Sequence, residues 1–364
     1  MSSPQLIPRQ RTPRADLTPI LENDLGEVAG FIAQQSGRSR EVVENHLRWF
    51  LLENPVREAQ HPLGIGLRSA DRLTGCILYS PQEFSVQEKK ILLMGSSSFY
   101  VDEAHRGQGG RIFLQYSRLA RQWPLFGTSA NAEAASLWKA AGATPIPYSE
   151  GELFGVLRWP PLVEEFAHRK NADPAVARLA GSPAANLAGL FLRLKLDCET
   201  SDSLQQLTSA EQVNDLFPIH DSSPKLTAVR DLPYVRWRYF SGRDATVAVF
   251  AFPSRQPDQK ILITVNQRPR GYRGQINTLN LLDVYPEASA QQWMLIVGAL
   301  IARYRKVVDA IVLRSQHPDI RKAFCARGFQ WRMFDSPNGW FLDRNRLLPT
   351  QEWYPVPADG DGLI

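Results

Sequence analysis

Apolar residues along the chain recur at helical spacing, then alternate, and then do both again in the second half. Asn23 or Asp24 can cap a helix whose Leu25, Val28, Phe31 and Ile32 share one face. Ser39 opens a second predicted helix, Arg40 to Glu53, striped by Val42, Val43, Leu47, Phe50 and Leu51. Asn54-Pro55 stops it, because proline disfavours helical geometry in the residue before it. Leu17 to Glu22 reads as an edge strand ahead of these helices. Leu63 to Arg68, Leu73 to Ser80 and Ile91 to Asp102 read as an antiparallel meander with turns at Ser69-Ala70-Asp71 and across Ser85 to Lys89. Then come an amphipathic helix carrying Ile112, Leu114 or Phe113, Tyr116 and Leu119-Ala120, a short strand Leu125 to Ser129, and a helix from Asn131 to Gly142. Leu153 to Leu157 reads as a strand and Pro161 to Lys170 as a helix.

The second half repeats this order in outline. Leu204 to Leu207 is strand-like, Ala210 to Phe217 and Leu232 to Tyr239 are helical, and Thr246 to Phe252, Lys260 to Gln267 and Gln275 to Val284 make three strands. A helix from Ala288 to Tyr304, a strand Ala310 to Arg314 and a helix Pro318 to Arg327 complete the set. Asp173 to Pro183, rich in Ala, Gly and Pro, reads as a linker, and Pro183 to Leu194 as a connecting helix. The expected division is therefore 1–172, a linker with a helix over 173–200, and 201–364.

Composition agrees with two units: 364 residues at 43% hydrophobic are enough for two packed cores. The net charge of +5 suits a polyanionic partner and equally an ordinary, mildly basic surface. Cys76, Cys198 and Cys325 lie far apart with no His cluster nearby, so neither a disulfide framework nor a metal site is expected. No apolar run approaches the roughly 20 residues that span a bilayer, and Met1 to Ala15 is polar, so a cytoplasmic location is expected.

One stretch carries chemistry. A strand ending at Val101 runs into Arg106-Gly107-Gln108-Gly109-Gly110, where glycines permit a tight turn and leave no Cβ in front of a ligand. The helix that follows points its free N–H groups and positive end at that loop, which describes a phosphate cradle.

Val101-Asp102-Glu103-Ala104-His105-Arg106-Gly107-Gln108-Gly109-Gly110 is similar to the Val-x-Pro-x-x-Arg-Gly-x-Gly stretch of the GNAT superfamily of CoA-dependent N-acyltransferases. Asn131 to Gly142 resembles that family's Asn-x-x-Ala/Ser-x-x-Leu-Tyr-x-x-x-Gly helix, one helix and one strand further on. The second half resembles a copy that has lost the loop, with Tyr285-Pro286-Glu287-Ala288-Ser289 in its place, and so is expected to bind no CoA and to serve the acceptor side. Arg48-Trp49-Phe50 with Asn54-Pro55, and Asp231 to Tyr239, are similar to stretches in a polysaccharide-biosynthesis branch.

The resemblance implies an α/β (α+β) protein of two GNAT-like domains, each a mixed, mostly antiparallel twisted sheet flanked by helices. It implies acetyl-CoA or another acyl-CoA as co-substrate, held by Val101, Arg106, Gly107, Gln108, Gly109, Gly110, Arg111, Asn131 and Trp138, and no metal. The acceptor would be a small-molecule primary amine, plausibly a nucleotide- or lipid-linked amino sugar, rather than nucleic acid. Catalytic candidates are Glu103, His105 and Tyr100, with Asp102 as a further proton acceptor and Glu103 ranked first. A bulge in the fourth strand, usual in the family, would shift which of Ser96 to Val101 share a face. Two positions depart from the pattern. Trp138 stands where the family's acidic tyrosine is expected, leaving Lys139, Tyr116 or solvent to assist the thiolate, or the thiolate to depart unassisted. Arg111 stands where a small residue is expected, open to a phosphate or to solvent. Two other readings remain: a Fem-type aminoacyl transferase using charged tRNA, and a non-catalytic CoA-binding scaffold.

Overall fold

The computed structural model describes residues 15–169, 203–216, 225–241, 246–253, 260–271, 274–314, 317–348 and 353. Two mixed sheets organise them. The first runs β1 (Asp16–Ile20), β2 (Gly64–Ser69), β3 (Arg72–Val86), β4 (Lys89–Val101), β5 (Leu125–Gly127), β15 (Trp340–Leu342), β6 (Thr144–Pro145), with β9 (Thr227–Ala228) added along β3. The second runs β14 (Gln330–Met333), β7 (Gly151–Val156), β13 (Ala310–Arg314), β12 (Ile276–Tyr285), β11 (Lys260–Arg270), β10 (Val247–Pro253), β8 (Gln205–Leu207). Each sheet therefore holds one inner strand from the other half of the chain: β15 lies between β5 and β6, and β7 between β13 and β14. The expected linker at 173–200 lies outside the described residues, as does the helix Pro183 to Leu194.

Local chemistry explains the meander. The β2–β3 turn places Ala70 and Asp71 at φ 48° and 62°, and the β3–β4 turn places Gln87 and Glu88 at 50° and 66°. Two left-handed residues in a two-residue loop match the twist of the flanking strands. Strand β3 continues to Val86 rather than stopping at Ser80 as expected. Its neighbour β2 ends opposite Leu78, so Pro81 has no ladder bond to lose on that side.

Helix α1 (Leu25–Ser36) buries Leu25, Val28, Phe31 and Ile32 as its spacing predicts and ends on Gly37 at φ 70°. The predicted helix over 40–53 divides into α2 (Arg40–Leu47) and a wide π turn, Arg48–Leu52. That turn buries three successive side chains, Trp49, Phe50 and Leu51, while Val42 is left exposed. Asn54 secures its end: Nδ2 donates to Ser80 Oγ (2.6 Å) and to the Pro81 carbonyl (2.7 Å), and Oδ1 accepts from the Val56 N–H (2.9 Å).

The remaining helices are α3 (Gly109–Ser117), α4 (Ala132–Ala140), α5 (Pro160–Arg169), α6 (Ala210–Leu216), α7 (Leu232–Phe240), α8 (Ala290–Tyr304) and α9 (Pro318–Cys325). One core lies between the halves, where α1, α2 and the π turn meet α7, β10 and the far end of β12. A second packs α8 on its sheet, and a third packs α3 and α4 on the first sheet.

Candidate active site

The site begins with a bulge. Between β3 and β4 the register passes from Cys76↔Tyr100 to Leu78↔Ser97, so β4 carries one extra residue, and Ser98 takes φ 51°. The buried Cys76 thiol donates to the Ser98 carbonyl at 3.6 Å and holds the bulge from behind. Burial pushes that thiol up to about 12 from an ordinary 9.0, so it acts as a neutral donor rather than a nucleophile.

Past the bulge the sheet opens. Strands β4 and β5 run parallel and pair only at Met94↔Leu125 and Gly95↔Phe126. Beyond that point a cleft of about 680 Å³ separates Ser96 to Val101 on one wall from Gly127 and Ser129 to Asn131 on the other. Parted strands leave main-chain N–H and C=O groups facing the gap without a ladder partner, a surface that suits an extended amide-bearing ligand.

At the mouth the chain is helical, not a tight glycine turn. A 3₁₀ segment, Glu103–Gln108, runs directly into α3, and the Gly109 N–H is given to the Arg106 carbonyl. None of Gly107, Gly109 and Gly110 has a positive φ. Their contribution is the missing side chain: a Cβ at Gly107 or Gly110 would meet nothing within 4 Å, and one at Gly109 would touch Val101 Cγ2 at 3.5 Å. Gly109, Gly110 and Arg106 line the cleft, so a guanidinium and the positive end of α3 meet at its mouth. These features fit the phosphates of a nucleotide-linked co-substrate.

The α4 wall is built by two residues. Asn131 caps α4, its Oδ1 accepting from the Ala134 N–H at 2.8 Å, and the same residue lines the cleft. Trp138 is buried along that wall, edge-on to Phe113 (centroids 5.1 Å) and Tyr116 (5.9 Å). Tyr116 donates its hydroxyl to the Met94 carbonyl at 3.1 Å, and burial holds that phenol far above its usual range. Lys139 points to solvent and does not line the cleft.

The structure thus gathers Tyr100, Val101, Arg106, Gly109, Gly110, Asn131 and Trp138 around one cleft. It sets the other candidates apart. Glu103 and Gly107 are exposed outside the lining. His105 is buried with Nδ1 2.7 Å from Asp102 Oδ1, and the same oxygen accepts the His105 N–H. Arg111 donates to Gln108 Oε1 (2.6 Å) and to the Ala15 carbonyl (3.0 Å), which turns both side chains toward the start of β1. Sequence reasoning did not select Ser96, Ser97, Ser98 or Glu133, all of which line the cleft. The serine triplet next to the expected bulge was the available signal for three of them, and the position of Glu133 two residues past the Asn131 cap was the signal for the fourth.

The second half repeats the bulge without the mouth. Register passes from Thr264↔Asp283 to Val265↔Leu281, so β12 carries an extra residue as β4 does. The helix that follows, α8, caps itself: Ser289 Oγ accepts from the Gln292 N–H (3.3 Å), and Gln292 Oε1 from the Ser289 N–H (2.9 Å). Beside it Glu287 is paired with Lys225 at 2.8 Å. A buried network fills the strand end: Arg230 grips Asp283 through Nε (2.6 Å) and Nη2 (3.0 Å), and the Tyr239 hydroxyl donates to Asp283 Oδ2 (2.6 Å).

No family model matches the sequence, and no curated protein matches it. Solved structures do match the fold. A Saccharomyces cerevisiae N-myristoyltransferase with bound myristoyl-CoA aligns at TM-score 0.55 and 12% identity, over 94% of this chain and 81% of that one. A GCN5-related N-acetyltransferase from Anabaena variabilis ATCC 29413 aligns at 0.55 and 11% identity, over 90% and 72%. A conserved protein from Enterococcus faecalis V583, described as a probable N-acyltransferase, aligns at 0.55 and 8% identity over the same shares. The chain has the α/β fold of these structures, with two mixed sheets flanked by helices, and the likeness spans both halves.

Proposed function

We propose that the protein is an N-acyltransferase that moves a short acyl group, acetyl first among them, from CoA to a primary amine. The observation that carries this reading is the cleft between the parting strands β4 and β5, with Arg106 and two glycines at its mouth and a serine-bearing bulge within. Arg106 and the start of α3 receive the phosphates, and the walls of the cleft take the extended arm between phosphate and thioester. The amine nitrogen bonds to the acyl carbon, the carbon–sulfur bond breaks, the thiolate departs, and the amine proton passes to water. Tyr100 and the hydroxyls of Ser96 to Ser98 are the cleft groups able to hold that water. Positioning supplies most of the rate.

Hydroxyls at the bulge favour a small acyl group over a long apolar one, which would strip them of water without replacing their hydrogen bonds. An amino sugar, carried on a nucleotide or a lipid, is the acceptor we place first. It is supported by the resemblance of the stretches around Trp49 and Trp237, and we assign the acceptor side to the second half. Thiol release measured over a panel of acyl-CoAs and amino sugars tests the reading. Turnover with acetyl-CoA and an amine is the expected result. Binding of CoA with no turnover over the whole panel favours a non-catalytic binding protein instead, and salt-sensitive retention of charged tRNA favours the aminoacyl-transferase reading.

A further inference from the structure

The narrow end of the cleft is closed, and the residues that close it decide what acyl group fits. If the phosphates lie at the mouth, the thioester end of the co-substrate lies furthest from them, where β4 and β5 converge; this step rests on the function proposed above. From Val101 back to Ser96 is about 16 Å of strand at ~3.3 Å per residue, and beyond Ser96 the strands pair again through Gly95↔Phe126.

Space at that point is fully used. A Cβ at Gly127 would stand 2.7 Å from Ser96 Oγ and 3.2 Å from Trp138 Cζ2, so these two side chains press on the β5 backbone with no gap between. A Cβ at Gly95 would stand 2.8 Å from Phe126 Cζ, so the next position is filled as well. Trp138 is itself held edge-on by Phe113 and Tyr116, whose hydroxyl is anchored to the Met94 carbonyl, so the indole is braced on its far side. An aromatic wall fixed in this way does not swing aside as a lone flexible side chain does.

We infer that Trp138, with Ser96, is the stop that sets acyl-chain length, limiting the co-substrate to acyl groups of a few carbons. In this role the tryptophan is a specificity-determining wall and not a proton donor. Shortening it opens an apolar recess lined by Phe113 and continuous with the cleft. Each methylene that then finds room gains roughly fourfold in affinity.

Calorimetric titration of the full-length protein with free CoA, acetyl-CoA and octanoyl-CoA tests this, using wild type, Trp138→Ala and Ser96→Gly. Wild type is expected to bind acetyl-CoA at least about tenfold more tightly than octanoyl-CoA. Trp138→Ala should raise octanoyl-CoA affinity relative to acetyl-CoA about tenfold or more, each read against the same variant's own affinity for free CoA. Ser96→Gly removes far less packing and should shift the same ratio in the same direction, so it decides the matter if the alanine variant does not fold. Equal wild-type affinity for the two acyl-CoAs overturns the inference. So does an unchanged ratio in whichever variants are folded. Failure of wild type to bind free CoA at all overturns the parent reading together with this one.

Discussion

Trp49 and Trp237 hold each other by the backbone: the indole Nε1 of each donates to the main-chain carbonyl of the other, both at 2.8 Å. Their rings lie 5.6 Å apart, and the Arg238 guanidinium sits over both, at 5.3 and 5.5 Å. Such reciprocity is what two like elements make when they meet about a local two-fold, as at an isologous interface. Trp49→Phe and Trp237→Phe should each cost roughly 1–3 kcal/mol, because each leaves a buried carbonyl without its donor. The double variant should depart from additivity by at least about 0.5 kcal/mol. Urea midpoints of the four proteins measure this, and strict additivity would mean that the two bonds are independent.

Asp283 is a more severe test of the same region. Asp283→Asn leaves Arg230 charged and buried without its carboxylate, a loss of roughly 3–5 kcal/mol. Tyr239→Phe removes one neutral donor to that carboxylate and should cost less, about 2 kcal/mol. Denaturant titrations of both rank them, and equal costs would show that charge pairing is not what stabilises this strand end.

Alkaline pH should weaken the fold. Burial pushes Cys76 to about 12 from 9.0 and Tyr79 to about 12 from 10.0, and Tyr239 is raised as well by burial and by the Asp283 charge. Between pH 9 and 12 the unfolded chain releases these protons while the folded chain keeps them. Stability present below about pH 9 is therefore lost as pH rises, by up to about 1.4 kcal/mol per pH unit for each such group. Cys76→Ser keeps a donor to the Ser98 carbonyl and removes the titration, so the fall in urea midpoint from pH 8 to pH 10.5 should be shallower in that variant.

Gly110→Val tests the cleft mouth with little structural cost, since its Cβ meets open space. CoA affinity should fall at least about tenfold with the melting temperature nearly unchanged. Arg106→Ala should weaken CoA binding and flatten its dependence on salt, because a phosphate-facing cation is lost. Full retention of CoA affinity in both variants would move the phosphate site elsewhere.

Much of the fold was readable because it is written locally. The hairpins follow from two-residue polar turns, α1 from its apolar stripe, and the cleft mouth from the spacing of Arg106, Gly109 and Asn131. Other features have no local signature. The π turn over Arg48–Leu52 packs Trp49 and Phe50 on Trp237, which is distant in sequence. Gly110 reads in sequence as a turn residue and is instead the second residue of α3, with open space where a Cβ would stand. Arg111 reads in sequence as open to a phosphate or to solvent, and the carbonyl of Ala15 that holds it lies far away in sequence.

The traded strands give the chain a readable history. Two like units that each lend the same inner strand to the other, β7 in one direction and β15 in the reverse, have the arrangement a domain-swapped homodimer would have after its copies were joined end to end. Such a join makes the partners inseparable. A chain cut between the two halves would yield pieces that each lack a strand of their own sheet, and the two would be soluble only as a reassembled pair.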